Sequence, residues 1–278
     1  GFDRYLPWAL GKDANAEDMP LWIVPDRKLS VHDVEMCMRD HYEGTALALD
    51  STNVGGGVYQ MPYRPTPLTY KVDGKEYFNE RPVSTQQTAF TFVSQLRSWL
   101  PNEIGGILWF GNDDANMVAY TPVYCGNTVQ PECYNTPGAD AVTYSDKNAF
   151  WVCNWVSNMV YPRYSQLFPE LKAVRDSLDM SYFAAQKEIE AKAQVLYASS
   201  KAEAVKYLNT YSNDKAQQML AAWHDLGRLL IVKYNDMAVK KTKDGKLTRS
   251  VTRPGYPASF AKKLVKETGD WYAVPEKK

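Results

Sequence analysis

The sequence predicts an α+β fold, and three features lead to that prediction. A helix with its own capping signal comes first, a series of short strand-forming segments follows, and a long stretch with helical periodicity completes the chain. Short connections between the strands indicate antiparallel neighbours, because parallel strands need long crossover connections. Strands and helices segregated along the chain are typical of α+β proteins. We therefore expect residues 1–147 to hold a helix and antiparallel strands, and residues 148–278 to be mainly helical.

The first helix is predicted to begin after Ser30. Serine is a favoured N-cap residue, and Asp33 three positions later completes a pattern like the capping box. Apolar side chains then repeat at helical spacing, and the helix should end near residues 39–41, with Gly44 available as its terminator. Residues 51–67 contain consecutive glycines and several prolines, which predict a loop.

Strand-forming sequence follows this loop. Two segments, 68–72 and 75–78, flank Asp73-Gly74, a dipeptide that strongly favours a β-hairpin. Three further strands are predicted over residues 89–96, 105–110 and 117–124. Apolar residues occur at both odd and even positions of these strands, so we expect a sheet that is covered on both faces.

The second half of the chain shows three apolar stripes at helical spacing. They include Phe150 and Trp155, then Leu171 and Leu178, then Trp223 and Leu230. A polar turn at Gly245 and a break at residues 254–257 precede a last short helix.

The charge composition is balanced, with 32 Lys and Arg against 32 Asp and Glu. A formal net charge of zero gives no overall attraction for nucleic acid or for an anionic membrane, so neither is expected as a partner. No uninterrupted apolar run approaches the ~18 residues of a membrane-spanning helix. The chain begins with Gly1 and shows no signal peptide, which indicates a processed chain or a piece of a longer one.

The four cysteines are spaced too far apart for a Cys-x-x-Cys pair, so zinc and thioredoxin-type sites have little support. They are Cys37, Cys125, Cys133 and Cys153. The second and third bracket a short segment of turn-forming residues. They could close a small disulfide loop in an exported protein, or they could be two ordinary thiols.

A first polar cluster lies at the predicted end of the first helix. It contains Arg39, Asp40, His41 and Glu43. One interpretation is that Arg and His complement the negative end of the helix dipole. The other is that this loop faces a site and binds a charged peptide terminus.

A second polar cluster, residues 79–88, leads into the strands. Arg81 is suited to bidentate binding of a carboxylate. Ser84 has no histidine near it in sequence and lacks the Gly-x-Ser-x-Gly context of a nucleophilic serine. Asp113-Asp114 is expected to form the exposed tip of a turn rather than a pair for acid–base chemistry, which would require burial.

Four segments of the chain, in order, resemble the dipeptidase A-like cysteine peptidases. They are residues 38–45 (MRDHYEGT), 79–88 (NERPVSTQQT), 105–115 (GGILWFGNDDA) and 150–164 (FWVCNWVSNMVYPRY). The resemblance implies part of the α/β/β/α sandwich of an N-terminal-nucleophile hydrolase, with an antiparallel sheet followed by a helical layer. It also implies a secreted or periplasmic enzyme that hydrolyses dipeptides and uses no cofactor or metal.

In such enzymes a cysteine at the first position of the mature chain attacks the substrate, and its own α-amino group is the general base. This sequence departs from that pattern, because it begins Gly1-Phe2 and matches only the C-terminal half of the family. We therefore expect the nucleophile to lie on an upstream N-terminal half, and we name no catalytic residue.

The resemblance leaves two polar clusters as candidates for substrate binding. The residues are Arg39, Asp40, His41, Glu43, Arg81 and Ser84. The expected partners are a dipeptide substrate and the N-terminal half, and a second copy of the chain is a further candidate. The alternative is a non-catalytic binding or structural module that retains the dipeptidase scaffold.

Overall fold

A computed structural model describes residues 2–45, 47–50, 57–62, 69–78 and 81–276. Among these residues the helices are α1 Leu6–Ala9, α2 Val31–Met38, α3 Asn102–Gly105, α4 Ala149–Val160, α5 Tyr164–Ser199, α6 Lys201–Tyr234 and α7 Ala258–Thr268. The strands are β1 Thr69–Val72, β2 Lys75–Phe78, β3 Phe90–Leu96, β4 Gly106–Asn112, β5 Thr121–Tyr124, β6 Val239–Lys243 and β7 Lys246–Thr252. The predicted α+β class is confirmed: antiparallel strands precede a helical layer.

Helix α2 begins as predicted. The Ser30 hydroxyl accepts a hydrogen bond from the Asp33 backbone N–H at 3.1 Å, and the Asp33 carboxylate accepts one from the Ser30 N–H at 2.8 Å. This reciprocal pair satisfies two backbone donors that the first helical turn leaves free. Of the predicted loop 51–67, residues 51–56 and 63–67 lie outside the described part of the chain, and residues 57–59 form one 3₁₀ turn.

The predicted hairpin is confirmed as β1–β2, with Asp73 and Gly74 both at positive φ. It forms its own two-stranded sheet. Strands β3, β4 and β5 form a second antiparallel sheet, in that order. The last strand begins at Thr121 rather than at residue 117, and residues 115–117 form a 3₁₀ turn that the Asp114 side chain caps.

One face of this three-stranded sheet is buried beneath the helices, and the other is exposed along β3 and half-buried along β4 and β5. Residues of β3 alternate between exposed and buried, as a strand with one buried face should. Val93 points to the core, whereas Phe90, Phe92 and Leu96 are 54%, 46% and 76% exposed. The expectation of a sheet covered on both faces is therefore wrong for β3. On β4 the same face is half-buried at Phe110, whose ring lies 4.9 Å from the Tyr134 ring.

The helical layer consists of α4 and of an antiparallel pair formed by α5 and α6. The Tyr182 hydroxyl donates to the Lys215 carbonyl at 3.2 Å across this pair, and Ser200 both separates the two helices and caps the second. Gly227 lets α6 approach α4 closely, because a Cβ at that position would lie 2.2 Å from the Trp155 ring. The predicted helices are confirmed, as are the buried stripes of α5 and α6. The stripe predicted for α4 is wrong, because its buried face carries Val152, Cys153 and Val156, whereas Phe150 and Trp155 are only half-buried.

The C-terminal residues 239–252 form a β-hairpin, β6–β7. The sequence predicted its turn at Gly245 but not its strands, since Lys-rich segments with few apolar residues give a weak strand signal. The predicted last helix is present as α7. Within the described ranges, no helix has both the length and the apolar character needed to cross a membrane.

Candidate active-site network

The loop after β4 carries two buried carboxylates, and this corrects the sequence-based expectation. Asp113 and Asp114 are each 0% exposed, although their position suggested the tip of a surface turn. The Asp113 N–H donates to the Ala89 carbonyl at 2.8 Å, which holds the loop against the start of β3. Asp113 has a φ of +82°, a region that Asp tolerates better than most residues. The turn thus directs both side chains into the protein.

Asp114 is the centre of a hydrogen-bond network. Its carboxylate accepts close hydrogen bonds from the Ser84 hydroxyl on one oxygen and from the Tyr161 hydroxyl on the other. The Asn116 N–H donates to the same carboxylate at 3.1 Å and to the Ser84 hydroxyl at 3.0 Å. Burial, and then the nearby negative charge of Asp114, raise the pKa of Tyr161, so its hydroxyl stays a donor. Three donors therefore compensate the buried charge.

Asp113 has a different environment. Its carboxyl group accepts a hydrogen bond from the Ser157 hydroxyl at 2.6 Å and a long one from the Asn154 amide at 3.5 Å. Burial raises the pKa of Asp113 to about 7, and the charge of Asp114 adds to that effect. The two adjacent carboxyl groups therefore differ: Asp113 is about half-protonated at neutral pH, whereas Asp114 accepts three hydrogen bonds.

His41 lies at the edge of this network with its side chain fully buried. Its Nε2 is 3.3 Å from the Tyr161 hydroxyl, and its Nδ1 is 3.4 Å from both the Asn116 amide nitrogen and a Glu43 carboxylate oxygen. Burial raises the pKa of Glu43, but hydrogen bonds from His41 outweigh it and lower the pKa to about 2. The ring also makes edge-on contact with Tyr161 and Tyr164. The His41 ring is thus a second polar neighbour of the tyrosine that donates to Asp114.

Arg39 connects α2 to the helical layer below the network. Its guanidinium donates to the Ala115 carbonyl at 3.0 Å, the Val118 carbonyl at 3.0 Å and the Asp179 carboxylate at 2.7 Å. Both side chains of the ion pair are 1% exposed. One turn earlier, Glu35 is fully buried, and no described residue is a hydrogen-bond partner of its two carboxylate oxygens. Burial, with the charge of Asp179, raises the pKa of Glu35 to about 8.

The two predicted polar clusters meet in the structure. The Ser84 N–H donates to the Asp40 carbonyl at 3.0 Å, and the Tyr42 hydroxyl donates to the Arg81 carbonyl at 3.0 Å. Residues 79 and 80 of the second cluster lie outside the described part of the chain.

The six predicted site residues fall into two groups. His41, Ser84 and Arg39 are buried in or beside the network, whereas Asp40, Glu43 and Arg81 are exposed. None of the described residues forms an ion pair or hydrogen bond with the Arg81 guanidinium. Whether any of the six binds substrate stays a prediction.

Sequence reasoning missed several members of the network. They are Asp113, Asp114, Asn116, Tyr161, Tyr164, Arg175 and Asp179. The first two, Tyr161 and Tyr164 lie inside segments that carry the family resemblance, and this was the only available signal. Neither composition nor periodicity marks Arg175, whose guanidinium donates to the Asn116 side chain at 2.7 Å.

The four cysteines are free thiols, so the structure contains no bridge between Cys125 and Cys133. Cys133 is 1% exposed, and burial raises its pKa to about 12. Burial also raises the pKa of Cys153 well above its usual range. No hydrogen bond joins a thiol to a histidine among the described residues, and these residues hold no group of three or more His, Cys, Asp or Glu side chains placed to bind a metal ion.

Three curated relatives match most of the chain. A protein of Latilactobacillus sakei named "Probable dipeptidase" is 23% identical over 235 residues, which cover 82% of this chain and 45% of that protein. A "Probable dipeptidase B" of Lactococcus lactis is 21% identical, covering 82% of this chain and 43% of its own length. A "Probable dipeptidase B" of Streptococcus pyogenes is 24% identical, with coverages of 74% and 39%. The chain thus spans less than half the length of these relatives. The model of Peptidase family C69 matches residues 2–177, well over half of the sequence, and the chain belongs to that family.

Proposed function

We propose that the complete protein is a cysteine dipeptidase of the N-terminal-nucleophile type, and that this chain forms its C-terminal portion. The observation that carries the proposal is membership of Peptidase family C69, together with relatives named as dipeptidases. Those relatives extend well beyond the matched region, so there is room for a segment that supplies the nucleophile.

The environment of the two buried thiols supports a nucleophile elsewhere. A thiol acts as a nucleophile when it is deprotonated by a nearby base or by a lowered pKa. Cys133 and Cys153 have raised pKa values, which is the opposite of activation. An N-terminal cysteine would instead use its own α-amino group, whose usual pKa of roughly 8 suits neutral pH.

In this proposal the chain contributes the frame and part of the substrate pocket. The buried network around Asp114 holds the exposed residues Asp40, Glu43 and Arg81 close to one another. Arg81 can bind the C-terminal carboxylate of a dipeptide, and an acidic side chain can bind its α-amino group. Arg39 has a different role, since its bonds to Asp179 and two carbonyls make it a brace.

The uncovered sheet face supports a second half that packs on this chain. Phe90, Phe92 and Leu96 form an apolar surface that a second sheet layer would bury, as in two-layer sheet packing. The N-terminal half of the protein is the proposed occupant. Export to the periplasm or the exterior remains part of the proposal and follows from the family resemblance alone.

The experiment uses the complete protein and a panel of dipeptides, with release of free amino acids as the readout. We expect turnover that ends when the N-terminal cysteine of the mature enzyme is replaced by alanine, and that continues in the control variant Cys37→Ala. We also expect Arg81→Ala to raise KM without loss of stability, and Arg39→Ala to lower stability, because it leaves the Asp179 charge buried and unpaired. No dipeptide turnover by the complete protein would favour the non-catalytic module instead.

A further inference from the structure

The balanced total charge hides a strongly basic segment near the C-terminus. Residues 239–276 contain nine Lys and Arg side chains and four acidic residues, Asp244, Glu267, Asp270 and Glu276, while the whole chain has 32 of each sign. Most of these basic side chains are exposed, and no ion pair joins any of them to the described residues. An unpaired basic segment of this density attracts anionic surfaces.

Helix α7 inside this segment is amphipathic. Phe260, Ala261, Leu264 and Val265 follow the spacing of one helical face, and Lys262, Lys263 and Lys266 occupy the opposite face. No residue of this helix is buried, and Leu264 and Val265 are 45% and 58% exposed. An apolar face normally packs on a core, but this one is open in the described chain.

Exposed apolar side chains continue after α7. Trp271, Tyr272 and Val274 are 84%, 74% and 88% exposed. Trp and Tyr are the residues that favour the boundary between water and lipid, because each combines an apolar ring with a polar group.

The described residues of α7 have no hydrogen bond, ion pair or ring contact with any residue before Tyr256. The segment also lies outside the part of the chain that the family model matches, which ends at residue 177. Its apolar and basic character is therefore not explained by the network at Asp114 or by the family's shared part.

We propose that α7 and the residues after it form a peripheral docking site for an anionic lipid bilayer. The lysine face would contact lipid headgroups, while Leu264, Val265 and Trp271 would enter the boundary of the acyl region. A nucleic acid would use the charges but not the apolar face, so the combination favours lipid. The helix has 11 residues, so binding should be reversible and should depend on negative lipid charge.

The test is co-sedimentation of the 278-residue chain with phosphatidylcholine vesicles, with and without phosphatidylglycerol. We expect binding only to the anionic vesicles, and release at high salt because screening weakens the attraction. Replacing Lys262, Lys263 and Lys266 together by Gln should weaken binding by about 100-fold, given ~1 kcal/mol for each lysine at the surface. The matched control replaces three exposed lysines elsewhere, Lys12, Lys187 and Lys206, and should change it by less than about threefold.

The apolar contribution is tested by the double variant Leu264→Asn and Val265→Asn. We expect weaker binding to anionic vesicles, with an unchanged far-UV circular dichroism spectrum because neither side chain is buried. Tryptophan emission should shift to the blue on binding, and this shift should be absent in Trp271→Phe. The proposal is wrong if the chain binds neutral and anionic vesicles equally well. It is also wrong if the control lysine variant loses as much binding as the α7 lysine variant, or if the double Asn variant binds as well as the unmodified chain. If the complete protein does not bind the anionic vesicles, the proposal is also wrong, and the apolar face of α7 packs against another part of the protein.

Discussion

The Tyr161 hydroxyl donates a hydrogen bond to the Asp114 carboxylate, and this contact joins the end of α4 to the loop after β4. The other oxygen of the same carboxylate accepts from Ser84, which lies in the segment before β3. One buried charge thus connects three parts of the chain that are far apart in sequence. Such a charge is costly unless its partners are in place, so the network should be sensitive to small changes.

Asp114→Asn should destabilise the protein by about 2 kcal/mol. The amide oxygen can replace only one carboxylate oxygen, so the amide NH₂ group would lie against the hydroxyl of Ser84 or Tyr161, each of which donates in the native protein. The control is Asp113→Asn. Burial raises the pKa of Asp113 to about 7, so its carboxyl is partly neutral already, and Asn also tolerates positive φ. Urea unfolding at neutral pH should therefore show a smaller loss for Asp113→Asn, and an equal or larger loss would contradict the assigned roles.

Glu35 should make stability fall as pH rises. Its pKa is raised from 4.5 to about 8 by burial and by the charge of Asp179. Below the unfolded pKa the carboxyl is protonated in both states and has no effect. Between the two pKa values only the unfolded state loses its proton, so the free energy of unfolding decreases with pH.

Replacing Glu35 by Gln removes this titration and should raise the free energy of unfolding at pH ~7 by about 2 kcal/mol.

Glu43→Gln is the control, because the stabilising contribution of Glu43 changes with pH in the opposite direction. The Glu43 pKa is lowered to about 2, because hydrogen bonds from His41 outweigh the effect of burial, so its stabilising contribution is present above pH 4.5 and is lost as pH falls toward 2. Denaturation curves across this range test both slopes. An unchanged slope above pH 4.5 in Glu35→Gln would show that the carboxyl does not carry the effect.

The open sheet face should make the isolated chain self-associate. Phe92 and Leu96 are exposed apolar side chains on the uncovered side of β3, and replacing both by Gln should reduce association. Val195→Gln on α5 is the control, since that side chain is 71% exposed but lies away from the sheet. Sedimentation velocity provides the readout. If the unmodified chain remains a monomer at every concentration, the sheet face does not need a covering layer.

Thiol labelling should separate the cysteines into two classes. Cys37 and Cys125 are exposed, so they should react quickly with a thiol reagent in the native protein. Cys133 and Cys153 are buried with raised pKa values and should react only after unfolding. Mass spectrometry of labelled peptides locates the products. A Cys125–Cys133 disulfide in protein recovered from its native compartment would contradict the assignment of free thiols.

Local patterns predicted much of the fold. The Ser30 cap, the Asp73-Gly74 turn and the long helices each follow from short-range rules that operate within a few residues. The β6–β7 strands were missed because alternating lysines resemble a solvated loop. The sheet was expected to be covered on both faces because sequence shows which residues are apolar but not what covers them.

The site was less predictable, and Asp113-Asp114 shows why. The residues resemble a surface turn, and their burial depends on Tyr161, Ser84 and Ser157, which come from other segments. No rule based on spacing detects such contacts. The same holds for the Arg39–Asp179 pair, whose members lie 140 positions apart.

The central claim is that the nucleophile of the proposed dipeptidase lies outside the chain. The most direct test measures release of free amino acids from a dipeptide panel, with the isolated 278-residue chain and the complete mature protein assayed side by side. We expect turnover by the complete protein and none by the isolated chain, in which every cysteine has its backbone nitrogen in a peptide bond. Turnover by the isolated chain that disappears in the Cys37→Ala variant would contradict the account and identify Cys37 as the nucleophile.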